Sequence, residues 1–320
     1  MYSFLHQKFI TNLKKSLTKI TGASILLAIS GGQDSLCILK LFLDLYNQYK
    51  FQLGVINIDH SWRYDSTKNT YHIINILSNS KIPVYIYKIS CTDISELKSR
   101  ILRYQILLKT ASTYNYTIIV TAHSLSDQVE TCLYNLLKGT SNDGLNSLRW
   151  KRQLNSKIQV LRPILNFTRY EIAWFCKFFS LPYWSDISNY NYETQRNRIR
   201  QELIPYLQLY FNSKIETNLC RFLDNNHKDC EYLKQNTIKI YQKIKHRELI
   251  AINYKQLIQQ HSAIQHRVLY FFFLYNLNDT VSSYTLKTIL NHLKKKSSVN
   301  LKYKRLKIRN SNEWLYISKI

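Results

Sequence analysis

Apolar residues follow two rhythms along the first two hundred positions. Unbroken apolar runs at 24–29, 53–58, 84–89 and 117–120 read as buried strands, and 158–161 reads as a fifth. Between them, apolar positions recur every three or four residues at 36–49, 67–77 and 96–113. Further stretches of this kind lie at 127–137 and 169–179, and all of them predict amphipathic helices. Phe9, Leu13, Leu17 and Ile20 put one more helix ahead of the first strand. Strands alternating with helices imply right-handed βαβ units and an α/β domain with a doubly wound parallel sheet. Near 205–215 the rhythm changes. Ile215, Leu219, Phe222, Cys230 and Leu233 recur on one helical face, followed by helical runs at 268–274 and 286–293. Alternation at 301–308 and 314–317, around 309–312, predicts a terminal β-hairpin. Two domains are therefore expected, 1–210 and a smaller, mainly helical 211–320.

Composition sharpens this picture in two ways. The 320 residues carry 45 Lys+Arg against 20 Asp+Glu, a formal charge of +25. That excess calls for a polyanionic partner, nucleic acid before membrane, since no basic amphipathic anchor and no apolar span of membrane length is present. A codon bias toward Ile, Asn, Lys and Tyr accounts for abundant Lys, but not for acids failing to keep pace. The 6 cysteines are scattered with no CxxC pair, which argues against a zinc site or iron–sulfur cluster and for a reducing compartment. No acidic residue precedes Asp34, as in an organellar presequence, but residues 1–20 hold no Arg and lead straight into the first strand. A structural helix is the expectation there.

Candidate chemistry falls where a parallel sheet binds ligands, beyond the carboxyl ends of its strands. After the first strand stands Ser30-Gly31-Gly32-Gln33-Asp34-Ser35. Its two glycines allow a tight turn into a helix start, so that successive N–H groups can face an anion. A Walker loop would need Lys-Ser/Thr where this loop has Asp34-Ser35, and a carboxylate beside phosphate calls for Mg²⁺. The stretch resembles the SGGxDS loop of PP-loop pyrophosphatases, which split ATP into AMP and pyrophosphate while adenylating a substrate. Asp59-His60-Ser61-Trp62-Arg63 follows the second strand, and Thr121-Ala122-His123 follows the fourth. Asp127 and Glu130, three apart, share one helix face. They can bind a cation and assist its deprotonation, or act as helix N-terminal acids. Arg100, Arg103, Arg196, Arg198 and Arg200 are candidates for phosphate contacts, the last two equally for solvated helix charges.

In their order, the loop at 30–35, the runs 59–66, 100–104 and 121–131, Leu136-Leu137-Lys138-Gly139-Thr140, Arg162-Pro163-Ile164 and 196–200 resemble tRNA(Ile)-lysidine synthetase, over about residues 22–210. The resemblance implies a PP-loop, adenine nucleotide alpha-hydrolase-like fold with ATP and Mg²⁺ as cofactors. It implies that the C2 oxygen of the wobble cytidine in an isoleucine tRNA with a CAU anticodon is adenylated, after which L-lysine attacks C2 and AMP leaves. Under that reading Ser30, Gly31, Gly32, Gln33, Asp34, Ser35, His60 and His123 line the nucleotide, and Asp34 contacts Mg²⁺. Asp127 and Glu130 take lysine, while Arg63, Arg100, Arg103, Arg196, Arg198 and Arg200 meet tRNA, as does the C-terminal domain. Ser61, Ser126 and Lys138 depart from the family's usual Gly, acid and Arg. The competing readings are a tRNA thiolase on the same scaffold, which would bring CxxC motifs, and NAD or GMP synthetase, whose small substrates need no +25. The third is a non-catalytic tRNA-binding protein, against which intact Asp34, Asp127 and Glu130 weigh. The AT-rich coding bias points to the plastid stroma, with a bacterial cytoplasm as the alternative.

Overall fold

Six strands form the first sheet, in the order Val84–Lys88, Gln52–Asp59, Ser24–Ala28, Ile118–Thr121, Gln159–Leu161 and Lys151–Gln153. The computed structural model describes residues 2–59, 66–89, 96–146, 148–184, 194–277, 281–295, 298–303 and 306–319. The chain divides into two units, Met1–Leu223 and Asp224–Ile320.

In the first unit, α1 (Phe4–Ser16) leads into β1 (Ser24–Ala28), α2 (Gln33–Tyr49), β2 (Gln52–Asp59), α3 (Ser66–Leu77), β3 (Val84–Lys88), α4 (Glu96–Thr113), β4 (Ile118–Thr121) and α5 (Leu125–Leu137). The chain continues through α6 (Asn142–Leu145), β5 (Lys151–Gln153), β6 (Gln159–Leu161) and α7 (Arg169–Phe178). Next come α8 (Gln195–Arg198), a π-helical turn (Ile199–Leu203), α9 (Ile204–Tyr210) and the start of α10 (Ile215–Ile244). β1 pairs in parallel with β2 and β4, β2 with β3, and β4 with β6. The pleat sends alternate side chains to opposite faces. Ile25 and Leu27 join Phe9, Phe42 and Phe175 in one core, while Leu26 joins Ile56, Ile119 and Leu107 in the other. Both faces of the sheet are thus covered, as a doubly wound fold requires.

The five expected strands form, with ends within one or two residues. β5, which the hydrophobic pattern does not reveal, adds an antiparallel edge to β6. Its Lys151, Arg152 and Gln153 are all exposed, so no apolar alternation marks it. The unit boundary at 223/224 lies inside α10 rather than at 210. A change of rhythm near Pro205 suggested the earlier point, but Leu219, Cys220 and Leu223 still pack with α5 residues of the first unit.

The second unit holds the rest of α10, β7 (Ala251–Asn253), α11 (Tyr254–Ile258), α12 (Ser262–Leu277), α13 (Ser283–Lys294), β8 (Asn300–Tyr303), β9 (Leu306–Ser311) and β10 (Trp314–Lys319). The expected hairpin is there as β9–β10, its turn carried by Asn312 at φ 53°, a left-handed position that Asn tolerates. The run 301–308 is two strands, not one, since β8 folds back on β9 with Tyr303 opposite Leu306. With β7 they make a four-stranded antiparallel sheet, β7-β10-β9-β8, packed against α12 and α13 through Phe272, Phe273, Ile289, Ile308 and Leu315.

Candidate active site

The carbonyls of the loop between β1 and α2 are taken by neighbouring elements, while its N–H groups are not. Asn57 of β2 donates to Ile29 O (2.9 Å), and Asn69 of α3 donates to Ser30 O (2.8 Å). Trp184 N donates to Gly31 O (3.0 Å), and Leu36 N and the Ser35 hydroxyl take Gly32 O. Among the described residues, no N–H from Ser30 to Ser35 has a protein acceptor. Gly32 caps α2, so three of these N–H groups belong to a helix N-terminus and carry its partial positive charge. Successive N–H groups left without protein acceptors are the donors an anion cradle needs. Gly31 has no substitute there. Its φ is +82°, and a Cβ would stand 2.1 Å from Asn69 Oδ1.

Asp34 lies in the first turn of α2 and meets α5 from the next strand. Burial pushes its carboxyl up to about 6, helped by the negative charge of Asp127 and opposed by Arg169, Arg200 and a hydrogen bond with Ser124. Ser124 and Asp127 form the capping box of α5. The Ser124 N–H and hydroxyl both reach Asp127 Oδ2, at 2.9 and 3.2 Å. Arg200 approaches from the π-helical turn, where Ile204 N reaches back five residues to Ile199 O. Pro205 has no N–H to continue an ordinary helical ladder, which accounts for the widened turn. Arg200 donates Nε to Glu130 Oε1 (2.6 Å), and Nη2 to Glu130 Oε2 (2.8 Å) and Asp127 Oδ1 (3.2 Å). Glu130 is 4% exposed. Burial pushes its carboxyl up against the pull of Arg200, whereas Arg200, which burial alone would lower, is held protonated by Glu130 and Asp127.

His123 closes the end of β4, its Nδ1 2.9 Å from Thr121 Oγ1. Burial lowers its pKa to about 4, with Asp127 opposing and Arg162, Arg100 and Arg103 pushing further down, so the imidazole is neutral. The structure thus brings residues 30–35, His123, Asp127, Glu130 and Arg200 to one edge of the sheet. His60 and Arg63 lie outside the described residues. Arg200, expected to meet phosphate, is instead engaged by two carboxylates. Arg198 pairs with Glu202 (3.0 Å) on an exposed face, as a solvated helix charge would. Arg196 stands over the Tyr134 ring at 5.5 Å, with Lys138 Nζ at 4.0 Å from the same ring. Arg198 and Lys138 line an open cleft beside them with Tyr134, Leu137 and Ile199. Sequence reasoning missed Asn57, Asn69, Ser124 and Arg169. Only Ser124 had a legible signal, the Ser-x-x-Asp spacing of a capping box.

Comparison with known proteins gives the chain its family. Residues 5–207 match a family described as the PP-loop domain. Over 318 residues the chain is 43% identical to the chloroplastic tRNA(Ile)-lysidine synthase of Gracilaria tenuistipitata var. liui, covering 99% of both chains. The chain belongs to the tRNA(Ile)-lysidine synthase family of PP-loop proteins. The chloroplastic protein of the same description from Pyropia yezoensis is 38% identical over 98% of this chain and 96% of its own. A solved structure of the U34-tRNA thiolase NcsA from Methanococcus maripaludis superposes with a TM-score of 0.54 at 16% identity. It covers 68% of this chain and 77% of its own, and shares the fold.

Proposed function

We propose that the chain is a ligase that forms lysidine, joining L-lysine to C2 of the wobble cytidine of the CAU-anticodon isoleucine tRNA at the expense of ATP. The observation that carries this is the full-length likeness to two chloroplastic lysidine synthases, together with a loop whose N–H groups from Ser30 to Ser35 have no protein acceptor among the described residues and whose Asp34 is close enough to Asp127 to feel its charge. The same relatives support a plastid location, in the stroma. Among the described residues no helix is long and apolar enough to cross a membrane.

Residues 30–35 hold the phosphates that leave as pyrophosphate, stabilising charge that grows as the bond to the α-phosphorus breaks. Asp34 and Asp127 suit Mg²⁺, which takes one or two carboxylates plus phosphate oxygens. When bound, Mg²⁺ would neutralise phosphate charge. His60 and neutral His123 line the nucleotide. Asp127 and Glu130, held by Arg200 and with Arg169 also bearing on Glu130, are the carboxylates that draw the ammonium of lysine and accept the proton its attacking amine must lose. Arg63, Arg100, Arg103, Arg196 and Arg198 meet tRNA phosphates, and the second unit contributes to tRNA binding. Arg200 leaves that set.

The test is to incubate the protein with a transcript of the tRNA, ATP, Mg²⁺ and lysine, then identify the wobble nucleoside by mass spectrometry. Lysidine is expected, and only an adenylated nucleotide when lysine is omitted. An unmodified cytidine with all substrates present, or a thiolated one with a sulfur donor, would reject the proposal.

A further inference from the structure

β4 and β6 run side by side, Val120 opposite Leu161, and Arg162 follows directly on β6. Its side chain is the largest fully buried one among the described residues, at 1% exposure. Nη1 donates to Arg149 O (2.7 Å) and Nη2 to the Tyr104 hydroxyl (3.3 Å), while Nε is buried with no acceptor. No carboxylate hydrogen-bonds this guanidinium among the described residues. Burial works against its charge, Tyr104 supports it, and the positive charges of Arg100 and Arg152 oppose it further. Arg152 stands over the Tyr104 ring at 5.9 Å, and Arg100, Arg103 and Arg152 are exposed. His123, from the end of the neighbouring strand, feels the same Arg162, Arg100 and Arg103.

A buried cation that lacks an acid is costly, and proteins normally pair it. Tying down the backbone at Arg149 explains Nη1. It does not explain why Arg100 and Arg152 stand close enough to add their positive charge to one already unbalanced. The arrangement is completed by an anion arriving from outside, held by the exposed arginines and the Tyr104 hydroxyl over the fixed charge of Arg162. The cluster lies two strands from the β1 loop, a distance of roughly 10 Å at ordinary strand spacing, so it is not part of the pyrophosphate cradle.

We propose that Arg100, Arg152 and Tyr104, backed by buried Arg162, form a second phosphate-binding subsite at the β4–β6 edge. The ligand is a phosphate group, either a phosphodiester of the tRNA beside the reacting cytidine or a phosphate of the nucleotide. The first source rests on the lysidine-forming reading above.

The experiment compares the parent with Arg152→Gln, a surface change, and with Arg162→Gln and Arg162→Lys. Each is titrated with an RNA stem–loop carrying the CAU anticodon at several salt concentrations, and with ATP by equilibrium dialysis. If the RNA supplies the phosphate, Arg152→Gln shallows the salt slope by roughly 0.7–0.9 and weakens RNA binding about tenfold at low salt, with ATP affinity unchanged. Arg162→Gln weakens RNA binding likewise, and Arg162→Lys restores most of it because the buried charge returns. A loss of ATP affinity with an unchanged RNA slope assigns the subsite to the nucleotide. RNA and ATP binding both unchanged in Arg152→Gln and Arg162→Gln would overturn the proposal and leave the cluster as packing. A parent that ignores the RNA defeats the tRNA reading alone, and the ATP arm then decides the subsite.

Discussion

Asp34 shows at the scale of one residue how function and stability pull apart. Its carboxyl titrates near 6 in the folded chain against an ordinary 3.8, so its contribution is fully present below the ordinary value and lost as pH rises through about 6. At pH 8, without metal or nucleotide, the ionised group destabilises the fold. Asp34→Asn removes that penalty and is expected to stabilise by up to about 3 kcal/mol at pH 8 and little at pH 4, while abolishing pyrophosphate release. Urea midpoints at both pH values check it, and equal midpoints for the two proteins at pH 8 would refute it. His123 has the opposite sign. Its pKa of about 4 lies below the ordinary 6.5, so the unfolded chain binds the extra proton and stability falls as pH drops through that window. The loss reaches about 3 kcal/mol, and His123→Gln should flatten it in the same urea series. Residues such as these were legible as candidates because they sit just after strands. Asn57 and Asn69 were not, because an amide that holds a loop carbonyl from another element leaves no local pattern.

The capping box of α5 and the π-helical turn at 199–203 build the site together, at the scale of elements. The Asp127–Glu130 spacing did place both acids on one face. What spacing could not show is that Pro205 and the widened turn bring Arg200 between them, or that Asp127 stands close enough to weigh on Asp34. That proximity changes the division of labour expected from the pair. Asp127 is the strongest charge acting on Asp34. Asp127→Asn is therefore expected to slow pyrophosphate release as well as lysidine formation. Glu130→Gln should leave pyrophosphate release within about threefold, raise the lysine requirement and let adenylated tRNA accumulate. One time course following pyrophosphate and lysidine separates them, and a parallel fall of both products in Glu130→Gln at saturating lysine would contradict it. Short polar elements escaped the sequence for a related reason. β5 carries no buried position from which a period could emerge, and its pairing comes from β6.

At the scale of the whole molecule, two cores share one chain and a helix runs through the boundary. Phe9, Phe42 and Phe175 belong to the first core, and Phe272, Phe273, Ile289 and Leu315 to the second, with no residue in common. The doubly wound core was readable because strand and helix periods alternate over long stretches. The second sheet was readable only in its last hairpin, since β7 is three residues long and pairs across sixty positions of sequence. Separate cores predict separate responses. Phe273 is fully buried in the second unit, and Phe273→Ala should remove about 3–5 kcal/mol from that unit. A multi-domain chain need not unfold in one step, so the variant should lose its lower-melting transition to lower temperature while the transition protected by ATP stays put. ATP affinity should be unchanged. Binding of the tRNA should weaken, because the strongly basic chain is proposed to meet that polyanion with both units, and only one has been loosened. Calorimetry with and without ATP, alongside tRNA binding at one salt concentration, reads all three. A single transition that moves as a whole would show that the two cores melt as one. A shifted second transition with tRNA affinity intact would confine tRNA binding to the first unit.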